Sequence, residues 1–161
     1  MATLKPFVQA DFLSALERAD TSASRRLEAP LPGTLSALLL SPSGSGELTT
    51  TATSLVALLK AREATHRAAF QTELAADELQ RYQKFAKPGQ PSPHVVQMRQ
   101  QQAAARQASS QARQGLNVAA ATFVRQANIT VPPRLAIDVF ISEWIDRNVP
   151  TSFAPPTDSE A

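Results

Sequence analysis

Glu63 and His66 stand three residues apart in a stretch without proline or glycine, so both side chains share one face of a helix. This spacing is one unit of a carboxylate–histidine metal motif. Ferritin-like bundles use two such units, with further glutamates from neighbouring helices. Here only one copy exists, and the stretch 94–127 that would face it has no Asp or Glu. His66 is therefore expected at the edge of a core or on the surface. His94, the other histidine, sits beside a proline-rich turn without an acidic neighbour and is expected on the loop surface. No metal site is expected.

Other reaction classes lack their parts. Without cysteine there is no thiolate nucleophile, thiolate metal site, iron–sulfur cluster or disulfide framework. Gly44-Ser45-Gly46 lies in a Ser/Gly/Pro turn and does not form a Gly-x-Ser-x-Gly elbow, so a Ser-His-Asp triad has no support. No Gly-Lys-Ser/Thr loop and no Gly-x-Gly-x-x-Gly run is present, so nucleotide phosphates have no visible cradle. The expectation is a non-enzyme with no catalytic residue, no cofactor and no small-molecule substrate.

Charge is distributed unevenly. The net value is only +2, but residues 79–137 carry eight Lys/Arg and no Asp/Glu, whereas 138–161 carry one basic and five acidic residues. Arg99, Arg106 and Arg113 recur every seventh residue and so form one stripe along a helix. Arg81, Lys84 and Lys87 cluster near the proline turn. Such a pattern suits phosphates or an acidic partner surface. The alternative is a solvated face whose charges are partly answered by Glu73, Asp77 and Glu78 or by the acidic C-terminal segment. No aromatic residue lies between Phe85 and Phe123, so any nucleic-acid contact would be to the backbone, without base stacking.

The elements that carry these residues are helical. Hydrophobic residues make up 43% of the chain but aromatics only 6%, with five glycines, so alanine, leucine and valine dominate and favour helices over a β-sandwich. Phe7 to about Glu28 reads as a first helix with Phe12, Leu13 and Leu16 on one face. Leu35 to Leu40 allows one or two turns, and Ser41 to Gly46 a flexible turn. From Glu47 to about Ala86 neither proline nor glycine interrupts a long helix, with a stripe of Leu48, Ala52, Leu55 and Leu59 resumed by Phe70 and Leu74. Pro88, Gly89, Pro91 and Pro93 break it, and a second long helix runs from His94 to about Ala127. Two long helices and a short loop predict an antiparallel hairpin.

The second long helix holds the most regular pattern. Met98, Gln102, Ala105, Ser109, Ala112, Leu116, Ala119 and Phe123 step alternately by four and three, a heptad seam of mostly small or polar residues. Such a seam lets backbones approach closely but buries little area, so the helix is expected to need its hairpin partner and other chains. Thr130 is the expected N-cap of a last helix, Arg134 to Asn148, with Pro132 and Pro133 in its first turn. Ile137, Phe140, Ile141, Trp144 and Ile145 form its apolar face, which either closes the bundle or anchors a partner through Phe140, Ile141 and Trp144.

The expectation is an all-α, elongated antiparallel helical hairpin with shorter N- and C-terminal helices packed as a small bundle. Its segments are 1–46, an N-terminal helix and linker; 47–128, the hairpin; 129–149, the apolar helix; and 150–161, a flexible tail. No apolar window is long enough to span a membrane, and no signal peptide is expected, which reads as cytoplasmic or incorporated in a large assembly. The expected role is a structural subunit, a homo-oligomer or part of a larger complex of minor-virion or connector type. The seam residues Met98, Ala105, Ala112, Leu116, Ala119 and Phe123 are its candidate contacts. A helical protein binding nucleic-acid backbone, and a small adaptor or chaperone, are the rivals.

Overall fold

The computed structural model describes residues 3–27, 31–42, 46–85 and 93–151. These form α1 (Ala10–Thr21), α2 (Gly33–Leu39), α3 (Thr50–Phe85), α4 (Pro93–Ala127) and α5 (Ile137–Asn148). Among the described residues there is no strand, only isolated bridges pairing Arg26 with Glu47 and Leu40 with Leu48. The hairpin expected from the sequence is present, with α3 and α4 packed along their lengths. Lys87, most of the proline turn and most of the expected tail lie outside the described residues.

The hairpin is antiparallel and close to in register. Ser54 and Gln126 are hydrogen-bonded near the open end, Thr72 Oγ1 donates to the Ala105 carbonyl at 3.4 Å midway, and Leu79 clusters with Met98 and Val95 near the turn. The shorter helices gather at the open end: α1 and α2 lie on α3, and α5 lies on α4. There Phe12, Leu16, Leu35, Leu39, Leu55, Leu58, Leu59, Phe123, Ile141 and Ile145 form one fully buried core. The remainder of α3 and α4 extends from this base as a two-helix arm. Residues 61–85 span about 37 Å at 1.5 Å per residue.

Local chemistry sets the helix ends. The α1 helix is shorter than the sequence suggests, stopping at Thr21. The Ser22 hydroxyl donates to the Ala19 carbonyl (2.7 Å) and accepts from the Arg25 amide (3.1 Å), so side-chain bonds replace the next helical turn. Arg25 then takes a left-handed φ of 46°. Its guanidinium bonds Asp20 at 2.9 Å and Thr53 at 3.1 Å, tying the end of α1 to α3. The Thr49 hydroxyl donates to the Leu38 carbonyl (2.9 Å), satisfying the last turn of α2 at the point where α3 begins.

Asn128 ends α4. It adopts φ 56°, the Ile129 amide reaches back to the Val124 carbonyl at 3.0 Å, and both side chains pack on the core. This is a Schellman closure with asparagine in the usual glycine place. The last helix starts at Ile137, later than expected. Pro132 and Pro133 belong to a preceding turn closed by the Leu135 amide on the Pro132 carbonyl (3.1 Å), and Ala136, not Thr130, is the residue before the helix. No helix among the described residues is long and apolar enough to cross a membrane.

Candidate interaction surfaces

The seam of α4 faces α3. Met98, Leu116 and Phe123 are buried, and Gln102, Ala105, Ser109, Ala112 and Ala119 are half-buried, while the residues between them are mostly exposed. Its counterpart on α3 is Leu58, Ala61, Thr65, Ala68, Thr72, Ala75 and Leu79, spaced by three and four and all buried or half-buried. Sequence reasoning missed that stripe, although its heptad spacing was present. The expected stripe follows larger residues instead: Leu48, Ala52, Leu55 and Leu59 are buried in the base, where α3 is packed on several sides. Phe70 and Leu74, its expected continuation, are half-buried and lie off the stripe that faces α4.

The register divides the hairpin into two flanks. Arg62 donates to the Ser142 carbonyl at 2.8 Å and pairs with Asp146 at 3.0 Å, and Arg113 lines a cleft with those same α5 residues. Arg62 and Arg113 therefore share the flank that α5 covers. Each residue of the arginine stripe follows a seam residue by one position, so Arg99 and Arg106 continue along that flank beyond α5. On α3 the equivalent positions past Arg62 are Ala69 and Ala76. The stripe thus runs beside an alanine surface.

All three arginines of the stripe are exposed, and among the described residues none makes an ion pair. The expected partners on α3 lie elsewhere. Glu73 and Asp77 are exposed on its outer side, turned from α4, and Glu78 is half-buried, preceding seam residue Leu79 on the flank opposite the stripe. The carboxylates of α5 are closer: Arg113 shares its cleft with Asp138, Glu143 and Asp146. Arg81 and Lys84 are exposed on α3 near the turn.

The opposite flank carries a different surface. Thr53, Ser54 and Ala57 of α3 and Gln111, Gln114, Gly115, Val118, Ala119 and Thr122 of α4 line an open, uncharged groove of about 610 Å³. Val118 is 69% exposed there, the highest value among the large hydrophobic side chains of the described residues.

The apolar face of α5 turns inward. Ile141 and Ile145 are fully buried, and Trp144 meets Phe123 edge-on at 5.1 Å, so these residues close the bundle and do not stand free for a partner. Phe140 is half-buried, and Val139 is the exposed apolar residue of this helix. The residues tested for chemistry are engaged structurally. Glu63 pairs with Arg67 at 2.5 Å, and His66 Nε2 lies 2.8 Å from the Lys5 carbonyl, holding the N-terminal segment on α3. His94 is exposed in the first turn of α4 and stacks edge-on against Tyr82 at 4.7 Å. Among the described residues no group of three or more His, Cys, Asp or Glu side chains could hold a metal ion.

No protein-family model matches the chain, and neither a curated protein nor a solved structure matches it.

Proposed function

We propose that this chain is a non-catalytic helical building block of a larger assembly, with a minor-virion or connector-type component as its concrete form. The supporting observation is the imbalance between base and arm. Large apolar side chains fill the base, but along the arm the facing stripes are mainly alanine, threonine, serine and glutamine, and Leu79, Val95 and Met98 are its buried apolar cluster. Helices owe most of their stability to packing of an apolar face. A two-helix arm with so little buried area gains most from neighbours laid along it, as a subunit in an assembly would be.

Light scattering after size exclusion, with absorbance at 260 and 280 nm, tests this reading. The expected result is a multiple of 17.3 kDa free of nucleic acid. A monomer at every protein concentration overturns self-assembly.

The arginine stripe, without an ion pair among the described residues, favours one second reading, contact with a nucleic-acid backbone. It predicts a peak carrying nucleic acid that is stripped as salt rises, because phosphate contacts release counterions. The acidic groups beside Arg113 stand against it, since they repel phosphates at one end of the stripe.

A further inference from the structure

We propose, building on the assembly reading, that the arms of neighbouring copies of this chain lie side by side and parallel in a closed ring. In each contact Arg99 and Arg106, the part of the stripe beyond α5, face Glu73 and Asp77 on the outer side of α3 in the next copy.

The first support is charge complementarity between two surfaces of one chain. Arg99 and Arg106 are exposed and unpaired among the described residues, and the alanines beside them, Ala69 and Ala76, offer no counter-charge. Glu73 and Asp77 are likewise exposed without an ion pair on the outer side of α3. Among the described residues no ion pair joins the two sets within one molecule. A second copy can bring them together.

The second support is height. The register that places Thr72 beside Ala105 and Leu79 beside Met98 puts Arg99 level with Asp77 and Glu78, and Arg106 level with the turn just before Glu73. Seven-residue steps separate the arginines by about 10 Å, so a neighbour shifted along the arm by half that distance would lose the match. Complementary patches at one height need a rotation about an axis parallel to the arms with no rise along it. A heterologous contact of that kind closes into a ring, whereas one with a rise grows into a filament.

Reversal of charge tests the contact on the full-length chain, by light scattering and sedimentation velocity at low and high salt. Wild type is expected as one defined multimer at low salt that dissociates as salt screens exposed pairs. Arg99→Glu with Arg106→Glu, and separately Glu73→Arg with Asp77→Arg, should each weaken association by about tenfold or more, since attraction becomes repulsion. The chain carrying all four substitutions should reassemble, because its complementarity is restored with the signs exchanged. Circular dichroism spectra matching wild type establish that each variant is folded.

Multimers in wild type and in both paired variants alike overturn the ring contact and leave the assembly reading standing. Failure of the fourfold variant to reassemble, though folded, also overturns the contact. A wild-type monomer at every salt overturns both readings. A wild-type peak that carries nucleic acid, lost on Arg99→Glu with Arg106→Glu, assigns the stripe to phosphates and overturns the ring.

Discussion

Leu79, Val95 and Met98 are each less than a tenth exposed and form a cluster separate from the main core, close to the turn of the hairpin. If this cluster holds the end of the arm closed, Leu79→Ala should loosen the arm and leave the base intact. The substitution removes three carbons from a side chain 8% exposed. At about 0.8 kcal/mol per carbon the loss is about 2.4 kcal/mol, equivalent to a roughly sixtyfold rise in the open population of the arm. Residual cavity at the site would add to this, because large-to-small changes in packed clusters cost more than transfer alone. Hydrogen exchange read by mass spectrometry on the dissociated chain resolves the two regions. Amides of residues 70–85 and 93–105 should exchange roughly sixtyfold faster, while those of 52–59 and 116–124 keep wild-type protection. Unchanged arm protection would show that the small-residue stripes alone hold the helices together. Equal loss of protection in arm and base would show that the molecule opens as a single unit, and either result refutes the division into base and arm.

Four further substitutions, at three positions, probe the base, the end of α4 and its groove side. Phe123→Ala should cost about 3–5 kcal/mol in chemical unfolding and shift the fluorescence of Trp144, whose ring it supports at 5.1 Å. Asn128→Val should cost about 1–2 kcal/mol, since a β-branched residue resists the left-handed φ, while Asn128→Gly should match or exceed wild type in thermal melts. Gly115→Ala should stabilise the chain by about 0.5–1 kcal/mol, because the glycine is helical and a Cβ there meets nothing within 4 Å. A loss of stability instead would show that something packs against the groove side of α4 in solution.

Much of the architecture can be read along the chain. Stretches free of interior proline and of glycine clusters define two long helices, because an interior proline removes a backbone bond and clashes with the preceding turn, whereas one helical glycine such as Gly115 costs only about 1 kcal/mol. The α4 seam is legible for the same local reason: a strict alternation of three and four residues keeps one edge of a helix facing its neighbour. Helix ends are less legible. The Ser22 hydroxyl that stops α1 and the proline turn that delays α5 are short-range bonds competing with an otherwise helix-compatible sequence.

The surfaces are where sequence and tertiary structure part. Composition by itself determined that the chain is helical, that it lacks cysteine chemistry and recognised phosphate loops, and that its positive charge is concentrated in the middle. Periodicity determined that three arginines share one stripe. Which side of the hairpin that stripe occupies was decided by the register of α3 against α4, through pairs such as Thr72 with Ala105 that are distant in sequence. The same packing turned Ile141 and Trp144 inward onto Phe123 and set Glu73 and Asp77 apart from the arginines. The physical reason is that a helix's period fixes which residues share a face, whereas only contact with other helices fixes where that face points.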